Sequence, residues 1–255
     1  MHDDPPAVTV INEHGRAPLV LLCEHAANHI PARYANLGLP PEALARHIAY
    51  DIGAAEVARR LAAQLDAVLV LTGYSRLLID CNRPLDAPSS IPVVSEATAI
   101  PGNRDLPPAE RAGRDRLFFA PFRDRVGALL DARRAAGRPT ALIGMHSFTP
   151  VFLGVARPWD AGVLYRRAHR LAATLREGLC EDPALIVGVN EPYRVTAEGD
   201  YTVPWLGEAR GIPTALIEVR QDLIADAAGA VAWAGRLAGV LAGVAADRGA
   251  LSSLT

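Results

Sequence analysis

The sequence predicts an α/β fold in three layers: a mostly parallel, mixed sheet with helices on both faces. Three observations carry this. Short apolar runs alternate with longer stretches of helical period along the chain. Runs such as Leu19-Val-Leu-Leu-Cys23 are continuously apolar, as strands covered on both faces are. Three of them deliver a His or Glu at the tip, and the carboxyl edge of an open α/β sheet is where such folds bind ligands. With 255 residues, half of them hydrophobic, the chain can build one large domain spanning 1–255.

In chain order, residues 1–16 read as a loose lead-in. A strand over 18–23 precedes a polar loop, Glu24 to Pro31. Pro40-Pro41 opens a short helix to about residue 47. Residues 51–65 form an amphipathic helix with Asp51 placed as its N-cap. Strands follow at 67–71 and 76–80. Residues 84–108 form a proline-rich loop of the kind that serves as a lid or binding loop. An arginine-rich helical region runs to about 137, interrupted near Pro121. The strand at 140–146 carries Gly144, which lets another group approach its backbone closely. Further elements are a strand at 161–164, a helix at 165–179, a strand at 184–189, a strand ending at Glu218, and a packing helix at about 228–247.

Composition excludes several classes of function. The net charge is −2 and no basic run occurs, which argues against nucleic acid or an acidic membrane surface as partner. No apolar segment reads as long enough to span a bilayer, about 18 residues. The acidic, proline-rich start is unlike a signal peptide, so a cytoplasmic protein is expected. Cys23, Cys81 and Cys180 are too scattered for a disulfide framework, and Cys23 and Cys81 read as small buried thiols. All 26 basic residues are arginine, which excludes a Schiff-base or P-loop lysine. Any fixed positive charge in a site is therefore a guanidinium, suited to gripping a carboxylate.

The strand tips carry Glu24-His25, His146 and Glu218. Zinc catalysis needs three His, Asp or Glu ligands, an open position for water, and a nearby carboxylate as base. Glu24, Asn28, His29 and Asp51 are the candidates for a third ligand. Asn28 is a weak one, and Glu24 points to the opposite face of its strand from His25. Asp51, at a helix start, can lean outward. Each feature has a plainer reading: a capping or surface His, Asp51 as an N-cap alone, and Glu218 as the salt-bridge partner of Arg220.

Glu24-His25-Ala-Ala-Asn28-His29-Ile-Pro31, Asp51-Ile-Gly53, Ser75-Arg76-Leu-Leu-Ile-Asp80-Cys-Asn82-Arg83-Pro84, His146-Ser147-Phe-Thr-Pro150, Asn190-Glu-Pro-Tyr193 and Ile217-Glu218-Val-Arg220-Gln-Asp222 resemble, in order, the motifs of the N-formylglutamate amidohydrolase (N-formylglutamate deformylase) family over about 18–235. The resemblance implies a fold related to zinc carboxypeptidases and cell-wall amidases, with roughly one Zn²⁺ per chain. It implies His25, Asp51 and His146 as metal ligands and Glu218 as the base. The implied substrate is a small N-formyl or N-acyl amino acid such as N-formylglutamate. Its carboxylate needs an arginine, with Arg83 and Arg194 ahead of Arg76 and Arg220. Asn82 and Asn28 are candidates to steady an oxyanion or a ligand, and Ser147 and Tyr193 to contact substrate. Thr202-Val-Pro204-Trp205-Leu206 departs from the family pattern, which has a basic residue and a His there. Trp205 reads as a pocket wall or a core residue. Two alternatives stay open: an amidase acting on a cell-wall or small-peptide amide, and an inactive member that binds a small acidic ligand.

Overall fold

The computed structural model describes residues 4–254. Its strands are β1 (Val8–Ile11), β2 (Leu19–Cys23), β3 (Val68–Thr72), β4 (Val94–Ser95), β5 (Thr98–Ala99), β6 (Ala141–Phe148), β7 (Val151–Phe152), β8 (Val155–Ala156), β9 (Ala161–Leu164), β10 (Val187–Val189) and β11 (Thr214–Arg220). Its helices are α1 (Pro41–Leu44), α2 (Ala54–Leu65), α3 (Pro108–Arg114), α4 (Ala120–Ala135), α5 (His169–Leu179) and α6 (Ala227–Ala246). Seven strands pair in the order β1-β3-β2-β6-β11-β9-β10, while β4–β5 and β7–β8 are separate two-stranded hairpins. The β3-β2-β6-β11 centre is parallel; β1 and β9 join it antiparallel, and β10 runs parallel to β9.

Alternation along the central strands builds two cores. Leu19, Leu21, Leu69, Ile143 and Ile217 face α2, α5 and α6, whose Leu61, Leu175 and Leu237 fill the same cluster. Val20, Leu22, Val68, Val70 and Leu142 face the opposite layer, where α4 contributes Phe122, Val126 and Leu130. The expected three layers and mostly parallel sheet are therefore present.

Several local expectations change. The lead-in is not loose: β1 pairs with β3, Val8 opposite Thr72 and Val10 opposite Val70, because Val8 and Val10 have a core face to cover. Its residues 1–3 lie outside those described. Residues 76–80 form a turn rather than a strand. Arg76 and Asp80 form an ion pair of 2.7 Å, whereas four residues of extended chain would separate their backbones by about 13 Å. Leu77, Leu78 and Ile79 are buried in the second core without sheet pairing. The helix after Asp51 is capped by Gly53, which leaves Asp51 outside it. The expected helix from 165 begins only at His169, and the strand from 184 is confined to Val187–Val189. The interruption near Pro121 is a π-turn over Asp115–Phe119; Pro121 lacks the N–H for a regular helical bond to residue 117.

Helix α6 corrects the expectation that no segment is long enough to cross a bilayer: it has 20 residues with a mean hydropathy of 1.4 over its most apolar stretch. Its Trp233, Leu237, Val240, Leu241 and Val244 pack into the first core, and the apolarity of the remainder comes from alanines and the exposed Val231. Cys23 and Cys81 are buried thiols as expected, and Cys180 is exposed.

Candidate metal and active site

The parallel pairing of β6 with β11 sets Glu218 directly beside His146. Gly144 makes this close packing possible. A Cβ there would lie 2.5 Å from Leu216 Cδ2 and 3.2 Å from His146 Nε2. His25 follows β2 on the neighbouring strand, and its carbonyl accepts the Asp51 amide at 2.9 Å. Gly53 then turns the chain at φ +80°, where a Cβ would sit 2.2 Å from the Ile224 carbonyl oxygen. That turn starts α2 after Asp51 and frees the carboxylate to face the sheet edge. Ser147 fixes the same turn, its hydroxyl donating to Ile52 O at 2.8 Å and its amide to Asp51 Oδ2 at 3.3 Å.

Asp51 Oδ2 stands 3.2 Å from His25 Nδ1 and 2.8 Å from His146 Nδ1. One ligating atom from each of the three buried residues lies within 4.8 Å of the others, so they can hold a metal ion. Burial opposes charge on Asp51, yet the two imidazoles hold its carboxyl well below the usual range. Burial also opposes charge on His146, but Glu24 and Asp51 push it well above an ordinary imidazole. For His25, burial and Arg76 oppose protonation while Asp80 and Asp51 prevail. The carboxylates thus demand positive charge at this centre. Protons on the rings can supply it, and so can a divalent cation, to which two imidazoles and a carboxylate are suited ligands.

Glu218 differs from the other acids. Its Oε2 is buried without a hydrogen-bond partner. Burial, with Asp51, raises its carboxyl to about 7 against the pull of His146, His25 and Arg76. A carboxyl poised there, with a free oxygen beside three residues that can hold a metal ion, is equipped to take and return a proton near neutral pH.

Two acids take roles that the sequence does not suggest, Glu24 reading there as a candidate ligand and Asp80 only as part of a motif. Asp80 Oδ1 accepts His25 Nε2 at 2.7 Å, and Asp80 Oδ2 binds Arg76 at 2.7 Å. Glu24 Oε2 lies 3.3 Å from His146 Nε2, an ionic contact without hydrogen-bond alignment. The Thr202 hydroxyl donates to Glu24 Oε1. Glu24 and His25 lie in the turn that follows β2, so the strand alternation expected between them does not apply, and Glu24 reaches the Nε2 side of His146. The signal that could have found both acids is chemical: an imidazole ligand usually donates its second nitrogen to a carboxylate.

The cluster opens into a cavity of about 280 Å³ lined by Arg76, Asn82, Arg83, Ser147, Tyr193 and Glu218 among others. Arg76 bridges Asp80 and, at 3.4 Å, Asp51. Arg83 binds Asp200 at 3.0 Å and the Gly199 carbonyl at 2.6 Å. Asn82 Oδ1 accepts the amides of Tyr201 and Thr202, tying the divergent segment down. Asn28 lies away from the cavity and donates to Leu44 O. Arg194 is exposed and does not line the cavity. Arg220 is paired with Asp160 and Asp222 rather than with Glu218. Trp205 neither walls the cavity nor fills the core. It is half exposed, with its indole N–H on Ala197 O. The proline-rich loop supplies the β4–β5 hairpin, whose Val94, Ser95 and Glu96 reach the cavity.

Comparison with known proteins matches residues 17–225 to the N-formylglutamate amidohydrolase family. None of the curated proteins matches the chain. Among solved structures, gene product Atu2144 from Agrobacterium tumefaciens is 39% identical, with a TM-score of 0.91 over 96% of this chain and 97% of that one. The N-formylglutamate amidohydrolase from Ralstonia eutropha JMP134 is 18% identical, with a TM-score of 0.69 over 93% of this chain and 96% of that one, a likeness of fold.

Proposed function

The chain belongs to the N-formylglutamate amidohydrolase family, and from that premise we propose that it is a zinc-dependent enzyme that hydrolyses the amide bond of a small N-formyl or N-acyl amino acid. His25, Asp51 and His146 would hold the ion. A zinc ion there would supply a water of pKa about 7 and a Lewis acid for the scissile carbonyl. Asp80 Oδ1 accepts His25 Nε2 and Glu24 stands 3.3 Å from His146 Nε2, while both Nδ1 atoms face Asp51. Glu218 accepts the proton of the attacking water and passes it to the departing nitrogen. Its raised carboxyl suits it to exchange a proton near neutral pH. Val94, Ser95 and Phe152, on the two hairpins at the rim of the cavity, limit bulk water around the reacting carbonyl.

The observation that carries this reading is the buried, unpartnered Glu218 oxygen beside the His25–Asp51–His146 cluster. The test is elemental analysis together with hydrolysis of a panel of N-formyl and N-acetyl amino acids. The purified protein should hold roughly one zinc per chain. Glu218→Gln should retain the metal and lose turnover. A Gln variant that turned over substrate normally would remove Glu218 from the mechanism.

A further inference from the structure

The mechanism uses an amide and a cation-binding cluster, but an N-acyl amino acid also brings a free carboxylate. Arg76 and Arg83 line the cavity, and both are paired with carboxylates: Arg76 with Asp80 and Asp51, Arg83 with Asp200 through Nη1, which also donates to Gly199 O, while its Nε and Nη2 make no hydrogen bond among the described residues. Arg46, behind the β4–β5 hairpin, is bound to Glu96 at 2.6 Å.

Arg157 is held differently. It follows β8, and its guanidinium carbon lies 4.6 Å from the centroid of the Phe152 ring and 4.8 Å from that of Tyr193. Its Nη1 donates to the Tyr193 hydroxyl at 2.9 Å. Among the described residues it has no carboxylate partner, and its Nε and Nη2 make no hydrogen bond. Phe152 and Tyr193 both line the cavity that holds Glu218, and Arg157, which does not itself line it, stands against these two lining rings. Ring stacking occupies the faces of a guanidinium and leaves the in-plane N–H fork free, already oriented and partly dehydrated. That is the geometry in which an arginine binds a carboxylate with two parallel hydrogen bonds.

We propose that Arg157, held by Phe152 and Tyr193 at the rim of the cavity, binds the free carboxylate of the N-acyl amino acid and so selects acids over neutral amides. The proposal rests on the amidohydrolase reading above, and the roles divide cleanly. The cluster and Glu218 act on the amide. Arg157 fixes the distance at which a carboxylate must follow it. Tyr193 is a positioning residue that shares one Arg157 donor.

The test compares an N-formyl amino acid with its own carboxamide, using N-formylglutamate with its two monoamides and N-formylleucine with leucinamide's N-formyl derivative. For the zinc-loaded wild type, kcat/KM should favour the free acid by about 10- to 100-fold, the range for hydrogen bonds to a charged group. In Arg157→Gln the acid-to-amide ratio should fall to about one, mainly through KM, and Arg157→Lys should restore part of it. Calorimetric binding of the same acids to zinc-loaded Glu218→Gln, with and without Arg157→Gln, reads the contact without turnover and should show the same loss. Retention of the ratio in Arg157→Gln overturns the proposal, as does its collapse in Arg83→Gln alone. Both results leave the amidohydrolase intact. If the zinc-loaded wild type hydrolysed no N-acyl amino acid on the panel, the functional reading would fail and this inference with it.

Discussion

Replacing Glu24 by Gln removes one buried charge and almost no volume. Glu24 is 1% exposed and contacts two side chains, His146 across 3.3 Å and the Thr202 hydroxyl. Gln can still accept from one of them, so the fold keeps its packing. What goes is the negative charge that raises the His146 imidazole from its Nε2 side. Carboxylates behind ligating imidazoles are worth about 10- to 100-fold in metal affinity, or about 1.4–2.7 kcal/mol. Because Glu24 is fully buried, solvent screening does not reduce this. Competition with a chromogenic chelator should therefore show zinc affinity down by at least about tenfold in Glu24→Gln, with thermal unfolding of the metal-free protein little changed. Asp80→Asn is the poorer probe, since Asp80 also holds Arg76 and the Asn82 amide and its loss strains the turn itself. Zinc affinity within twofold of wild type in Glu24→Gln would refute the argument that the second nitrogen of His146 tunes the site.

Two further perturbations test the framework. Gly53→Ala forces a Cβ to 2.2 Å from Ile224 O at φ +80°, so chemical denaturation should show a loss of about 2 kcal/mol or more; wild-type stability would mean that this turn does not set the position of Asp51. On the surface, hydrogen bonds from Asn12 and then Arg16 hold the Asp66 carboxyl at about 2, below its ordinary 3.8. A carboxyl depressed in the fold contributes stability that is present above its unfolded value and lost as pH falls through its folded value. Asp66→Asn should therefore flatten the urea-midpoint profile between those two pH values, and superimposable wild-type and variant profiles would contradict the assignment.

What was legible in the sequence was what one strand or one motif could specify alone. An apolar run that ends in His or Glu fixes its tip at the sheet edge, so His25, His146 and Glu218 could be placed before any pairing was known. Asp51 was harder, because the same spacing fits an ordinary N-cap. Only the left-handed turn at Gly53 separates the two roles. The run 76–80 failed because burial does not distinguish a strand from a packed turn. Leu77, Leu78 and Ile79 satisfy the same hydrophobic pattern either way, and the deciding contact was the Arg76–Asp80 pair. Arg157 was invisible for a related reason. Its environment is assembled from Phe152, five residues before it, and Tyr193, 36 residues after it, and nothing local marks the combination.

These misses share a cause that bears on mechanism. Glu24, Asp51, Asp80 and Glu218 are all at most 5% exposed, and burying four carboxylates together is costly unless positive charge is built in with them. Arg76 and the two imidazoles provide it for three of them, each through a named contact. Glu218 is the one left without a partner, and its carboxyl accordingly rises to about 7. The neighbours of Glu218 on β6, β9 and β11 are set by strand register rather than by charge pairing. The sheet register therefore holds a buried carboxyl without a hydrogen-bond partner next to the His25–Asp51–His146 cluster, an arrangement that charge pairing alone would not produce.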